Sequence, residues 1–96
     1  MTLLSKPENY IDAVADYFDE LTPQATDDQL FAAGYLRGHF DLAVGSLEVA
    51  AEPFDKPKLC DWVAQSLAKA IAAGELQSAD QVHVQQVWQQ VQRIEA

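Results

Sequence analysis

Three features of this 96-residue sequence predict an all-α fold, a compact four-helix antiparallel bundle with a long central second helix. Apolar residues recur at helical spacing, capping signals precede the apolar stretches, and prolines and a glycine separate them. No stretch has the strict apolar and polar alternation of a half-buried strand. We therefore expect one helical domain over residues 1–96, with helices at about 7–21, 27–51, 57–73 and 79–94.

The first predicted helix is apolar on one side only. Ser5 and Glu8 have the spacing of a capping box, and Pro7 suits the first turn of a helix. Thr22 ends the helix, because a residue that precedes a proline avoids the helical region. At about 100° per residue, the apolar side chains share one face and the acidic ones share the other. The apolar face holds Tyr10, Ile11, Val14, Tyr17, Phe18 and Leu21.

The second predicted helix begins with a stronger signal. Thr26 and Gln29 form a second capping-box pattern, and Asp27 and Asp28 lie in the first turn, where the helix dipole favours acids. The pair at residues 52–53, Glu-Pro, stops this helix. A helical wheel then separates its apolar residues into two opposite arcs. The glycine arc holds Phe31, Gly34, Tyr35, Gly38, Leu42, Gly45 and Val49. The core arc holds Ala32, Ala33, Leu36, Phe40, Ala43, Val44 and Leu47.

Two apolar arcs on one helix need cover on two sides, which predicts a central position in the bundle. Each glycine costs about 1 kcal/mol relative to alanine in a helix interior. We infer that another helix approaches the glycines closely, under Trp88 or Phe18. Two interpretations remain for the surplus apolar surface. Both arcs are covered within one chain, or one arc is the surface for a homodimer or a protein partner.

The last two helices have one apolar stripe each. The segment PFDKPK separates the third helix from the second, and Gly74 is placed for a C-terminal cap. Ser78 and Gln81 form a third capping-box pattern, and Leu76 can close the corner against the core. The third stripe consists of Leu59, Cys60, Val63, Leu67, Ala70 and Ile71. The fourth consists of Val84, Val87, Trp88, Val91 and Ile94.

Charge excludes some classes of partner. The formal net charge is −9, and residues 1–28 hold seven acids against Lys6 alone. Because phosphate backbones are bound by clusters of Lys and Arg, we expect neither nucleic acid nor an anionic membrane as a partner. The N-terminal residues lack the apolar stretch of a secretory signal, and no apolar run is long enough for a membrane helix. Cys60, the single cysteine, cannot form an intramolecular disulfide. We expect a cytoplasmic protein.

No catalytic, metal or cofactor motif stands out. Arg37 and Asp41 are one turn apart and can pair on the surface or hold an anion. They lie on one of the two narrow polar seams that separate the apolar arcs of the second helix. His39 lies on the other seam. Asp80 and His83 have the spacing of half a di-iron motif, which needs a second copy and further glutamates. We expect no catalytic residues, no metal and no cofactor.

The remaining candidates favour binding. Trp62 projects from the polar side of the third helix near Lys69, and aromatic residues are enriched in interfaces. The leading hypothesis is a non-enzymatic interaction module, homodimeric or with a protein partner, using Trp62 or the seam of Arg37 and Asp41. The alternative is small-ligand binding or minor catalysis in a cleft. Such a cleft would be lined by Tyr35, His39 and Ser46.

Two segments carry a resemblance to a known family. DDQLFAAGYLRGHFDLA (27–43) and QSLAKAIAAGEL (65–76), which continues to SADQ, resemble signature segments of the YfcL-like proteins. The resemblance covers most of residues 26–92. It implies a small, soluble, cytoplasmic, all-helical bacterial protein. It implies no catalytic residues.

Overall fold

The computed structural model describes residues 7–51 and 53–95, and these residues form four α-helices. A short 3₁₀ turn, Thr22–Gln24, follows the first helix, and no strand occurs in the described ranges. The all-α prediction is confirmed. Ser5, which belongs to the first predicted capping box, lies outside the described residues. The helices are α1 (Pro7–Leu21), α2 (Asp27–Val49), α3 (Lys56–Ala72) and α4 (Ser78–Arg93).

The second helix, α2, holds the bundle together. It packs against α3 and α4 along its length and meets α1 where the rings of Phe40 and Tyr10 lie edge to face, with centroids 6.0 Å apart. The core arc of α2 supplies the buried side of these contacts, together with one stripe from each of the other helices. The buried core includes Tyr10, Val14, Phe18, Ala32, Leu36, Phe40, Ala43, Leu47, Leu59, Val63, Leu67, Leu76, Val84, Val87, Trp88 and Val91.

Short-range hydrogen bonds fix the start of α2 as the capping pattern predicts. The Gln29 backbone N–H donates to Thr26 Oγ1 at 3.2 Å, and the Thr26 N–H donates to Gln29 Oε1 at 2.9 Å. This reciprocal pair satisfies two N–H groups that the helix itself leaves unpaired. At the start of α3, Asp55 has the same function by accepting from the Lys58 N–H at 3.1 Å.

Residues in the left-handed region end two helices. Gly74 has φ +79°, and the N–H groups of Gly74 and Glu75 donate to the carbonyls of Ile71 and Ala70, as in a Schellman motif. The predicted glycine cap of α3 is therefore confirmed. At the end of α2 the same conformation falls on Ala51, with φ 58°. A residue with a Cβ is strained there, since its side chain crowds the following carbonyl.

The predicted capping box at the start of α4 is wrong. Gln77 occupies the N-cap position and makes no capping bond with its side chain. Ser78 is already the first helical residue, one position too late to cap. The Gln81 side chain donates to the Leu76 carbonyl at 3.1 Å. Since Leu76 is buried at this corner, the packing of the turn sets where the helix begins.

The prediction that the α2 glycines lie against another helix is also wrong. A Cβ built on Gly34, Gly38 or Gly45 would meet no atom within 4 Å. Among the described residues, the elements that cover α2 pack on its core arc; in the glycine arc Tyr35 and Gly45 are half-buried and the other residues stay exposed. The interpretation in which both arcs are covered within the chain therefore fails for the part of the chain described here.

Candidate functional site

A cleft lies between α2, α3 and the turn that follows α3. Its volume of about 530 Å³ is within the range of small-molecule sites. The cleft brings together His39 and Trp62, which the sequence singles out for separate reasons. The polar and aromatic residues that line it are His39, Trp62, Gln65, Ser66, Lys69 and Glu75.

The helical repeat places these side chains. Trp62, Ser66 and Lys69 follow one another at four- and three-residue spacing, so they lie on one face of α3. Trp62 is half-buried and packs against the core, which differs from the predicted projection from the polar side. Glu75 reaches the same cleft because the left-handed turn at Gly74 reverses the chain after α3.

One hydrogen bond joins the two walls of the cleft. His39 Nδ1 and Ser66 Oγ are 2.5 Å apart, and both side chains are half-buried. The His39 ring also lies against the ring of Tyr35, one turn earlier on α2, with centroids 4.9 Å apart. The bond and the ring contact together hold the imidazole in place at the cleft wall.

A second bond closes one end of the cleft. The Tyr35 hydroxyl donates to Glu75 Oε1 at 2.8 Å and so links α2 to the turn after α3. Burial, together with the bond to the Glu75 carboxylate, raises the pKa of Tyr35 to about 12. The phenol therefore remains a hydrogen-bond donor at neutral pH, and one Glu75 oxygen is engaged by it.

This geometry suits binding better than nucleophilic chemistry. A serine beside a histidine can be activated, but acyl transfer also requires donors aimed at the developing oxyanion. Ser66 lies in the interior of α3, where its backbone N–H belongs to the helix. In addition, no group of three or more metal-ligating side chains occurs within residues 7–51 and 53–95.

The other predicted site residues lie elsewhere. Arg37 Nη1 is 3.6 Å from Asp19 Oδ1 on α1, and its guanidinium lies 5.4 Å from the centre of the Phe18 ring. The predicted surface pairing of Arg37 with Asp41 is therefore wrong, because α1 offers a closer carboxylate and an aromatic face. Asp41 is exposed, and Ser46 is half-buried but does not line the cleft.

The exposed glycine arc is a second candidate surface. Three large apolar side chains of this arc face solvent: Phe31 is 49% exposed, Leu42 is 58% exposed and Val49 is 88% exposed. The glycines between them leave shallow gaps along the helix. Single exposed apolar residues are ordinary, but a row along one helix face is typical of an interaction surface.

Sequence reasoning missed Ser66 and Glu75 as members of the cleft. The helical spacing of Trp62, Ser66 and Lys69 was available in the sequence and could have marked one face of α3. The approach of His39 to Ser66 joins residues on different helices. No local pattern reports such a contact.

Comparison with known proteins gives a family. Residues 8–93 match the family model described as YfcL protein. The chain is 45% identical over 71 residues to "Uncharacterized protein YfcL" of Escherichia coli (strain K12), an alignment that covers 74% of this chain and 76% of that relative. The resemblance seen in the sequence is confirmed. No solved structure matches. None of the described helices is long and apolar enough to cross a membrane.

Proposed function

The chain belongs to the YfcL family, and we propose that it is a non-enzymatic interaction module that associates with a second copy of itself through the glycine arc of α2. The observation that supports this proposal is the exposure of Phe31, Leu42 and Val49 on one face of a helix whose opposite face is fully packed. Burial of such side chains stabilises an association by removing apolar area from water.

The glycine arcs of two copies are complementary in shape when their α2 helices lie antiparallel about a two-fold axis at Gly38. Phe31 and Gly45 are equally far from Gly38 in sequence, and so are Gly34 and Leu42. In this register Phe31 and Leu42 of one copy each face a glycine of the other, Val49 lies level with Asp27, and Gly38 faces its own counterpart. A two-fold interface requires this kind of self-complementary surface.

Self-association also explains why α2 contains glycines in its interior. Within one chain they lower helix stability and contact nothing. Between two chains the missing Cβ atoms allow the helix axes to approach more closely than the usual 8–10 Å. The close approach brings the flanking apolar side chains into contact with the partner backbone.

The charged side chains beside the glycine arc are compatible with the two-fold axis. Arg37 and Asp41 lie on the same flank of α2, and the antiparallel register brings the exposed Asp41 of each copy towards the Arg37 of the other, which also lies 3.6 Å from Asp19 of its own chain. The net charge of −9 on each chain opposes association. Moderate salt screens that repulsion and strengthens the dimer.

We also propose that the protein does not bind nucleic acid and that it is cytoplasmic. The acidic charge and the scattered basic residues support the first part, since phosphate binding needs a basic patch. The free thiol of Cys60 supports the second, because an unpaired cysteine suits a reducing compartment.

Light scattering coupled to gel filtration tests the association from micromolar to millimolar chain concentration. We expect a dimer for the native chain and a monomer for Leu42→Asp, which places a charge in the centre of the arc. Val82→Asp is the matched control, because Val82 of α4 is 55% exposed and lies outside the arc. A native chain that stays monomeric at all concentrations would contradict the proposal.

Cross-linking tests the register. In a Cys60→Ala background, Gly38→Cys places a thiol on the two-fold axis. Its Cβ widens the separation of the helices and weakens the non-covalent dimer, but the two Cα atoms stay within the distance that a disulfide spans, so oxidation traps the pairs that form. Oxidised glutathione should link this variant into a covalent dimer. Val82→Cys in the same background should stay monomeric. Equal cross-linking of both variants would show random collision and exclude the proposed register.

A further inference from the structure

The cleft between α2 and α3 adjoins the glycine arc at Tyr35, but the residues that line it lie outside the arc and have their own chemistry. Each wall carries an aromatic ring, Trp62 on the α3 side and His39 on the α2 side. Ala70 and Ala73 complete an apolar floor. A planar, aromatic group fits such a wall, because flat π surfaces stack on one another and exclude water.

One of the two charged residues of the cleft, Lys69, offers a cation to a ligand. Within residues 7–51 and 53–95, Lys69 makes no ion pair, whereas Arg37 approaches Asp19 and the Lys56 ammonium donates to the Ile94 carbonyl at 2.6 Å. Lys69 is therefore available to a ligand, and it lies one turn from Ser66, whose hydroxyl also lines the cleft. Glu75 also lines the cleft, but the Tyr35 hydroxyl engages one of its oxygens.

We propose that this cleft binds a small aromatic carboxylate, with its ring against Trp62 and its carboxylate on Lys69. The volume of about 530 Å³ accommodates one or two rings. His39, held by Ser66 and Tyr35, supplies the aromatic ring of the opposite wall. This binding activity goes beyond self-association and uses different side chains.

Benzoate is the probe, and the readout is the ¹H–¹⁵N correlation spectrum of the native chain. We expect saturable shifts of the Trp62 indole and the Ser66 amide. Trp62→Phe identifies the indole signal against that of Trp88 and keeps an aromatic ring in the wall. Benzamide and benzylamine match benzoate in shape, and they replace its negative charge with none or with a positive one.

Lys69→Gln provides the decisive variant, since Lys69 is exposed and its replacement does not disturb the core. We expect benzoate affinity to fall about tenfold, the loss of one charge-assisted hydrogen bond. Arg93→Gln is the control, because it removes the same formal charge from an exposed position outside the cleft and should leave affinity unchanged.

Several outcomes would overturn the proposal. Shifts that do not saturate would show that the cleft has no site for the probe. Benzamide or benzylamine binding as tightly as benzoate would show that Lys69 does not select an anion. Equal effects of Lys69→Gln and Arg93→Gln would show attraction by overall charge alone.

Discussion

The Tyr10 hydroxyl donates to the backbone carbonyl of Val91 at 2.7 Å and so ties the first helix to the end of the last. Val91 lies in the last turn of α4, and its carbonyl also accepts a longer bond, 3.3 Å, from the Ile94 N–H at the end of the helix. The same hydroxyl lies 3.6 Å from the Cys60 sulfur of α3, and the Lys56 ammonium lies 4.8 Å from the ring centre. One buried tyrosine therefore joins three helices.

Removal of this hydroxyl should destabilise the bundle. We expect Tyr10→Phe to lower the free energy of unfolding by about 1 kcal/mol, because the Val91 carbonyl loses the shorter of its two hydrogen bonds while the ring keeps its packing. Urea denaturation followed by circular dichroism measures the change. Tyr17→Phe is the matched control: Tyr17 makes no hydrogen bond through its hydroxyl in the described ranges, and its loss should cost less than about 0.5 kcal/mol. Equal losses in both variants would show that the Val91 bond contributes nothing.

The capping assignments predict opposite results for two similar residues. Thr26→Ala should lower the free energy of unfolding by about 1 kcal/mol, because the capping box at α2 loses its side-chain acceptor. Ser78→Ala should have an effect within about 0.5 kcal/mol, because Ser78 is the first residue of α4 and does not cap it. Denaturant titration of both variants measures the contrast. A large loss of unfolding free energy for Ser78→Ala would show that Ser78 caps α4 and would contradict the structure.

The left-handed residue at the end of α2 offers a stabilising change. Ala51→Gly should raise the free energy of unfolding by about 1 kcal/mol, since glycine adopts φ 58° without the strain of a Cβ. Ala50→Gly, one residue earlier, should lower it, because Ala50 has helical backbone angles. Thermal and chemical denaturation of the two variants test the sign. If both substitutions stabilise the protein, the gain in unfolding free energy comes from chain flexibility and not from the left-handed conformation of Ala51.

The open space at Gly38 predicts opposite effects on folding and association. Gly38→Ala should stabilise the dilute monomer by about 0.5–1 kcal/mol, because alanine favours the helix and the added Cβ meets no atom. The same Cβ should weaken the proposed dimer by separating the two helices. Gly74→Ala should destabilise the monomer by about 1 kcal/mol through its φ of +79°. A destabilised Gly38→Ala monomer would contradict the exposed position of this glycine.

Alkaline pH should unfold the protein as its tyrosines ionise. Burial raises the pKa of Tyr10 and Tyr17, with Cys60 contributing at Tyr10, and the pKa of Tyr35 rises to about 12. The folded state therefore holds these protons more tightly than the unfolded chain, whose tyrosines titrate near pH 10. Stability is fully present below about pH 10 and falls as pH rises towards 12.

Absorbance of tyrosinate and circular dichroism, recorded on the same samples, measure this coupling. Tyrosinate should appear together with the loss of helix. The chain in guanidinium chloride is the control and should titrate near pH 10 without a second transition. Complete ionisation near pH 10 with the helices intact would contradict the buried positions of the tyrosines.

Local patterns in the sequence determined the helical character of the chain. Apolar periodicity identified the stripes that pack in the core, the Thr26 capping box marked where α2 begins, and Gly74 marked where α3 ends. Each of these features depends on residues within one or two turns, so the chain alone carries the information. The quoted segments also identified the family.

Tertiary structure decided which side of α2 is covered. The glycine arc and the core arc are both apolar, and a helical wheel cannot distinguish an arc that packs from one that remains exposed. The positions of the other helices settle this point by packing on Leu36 and Phe40. The same packing brings Arg37 close to Asp19 and His39 close to Ser66. These contacts depend on distances between helices, which short-range spacing does not encode.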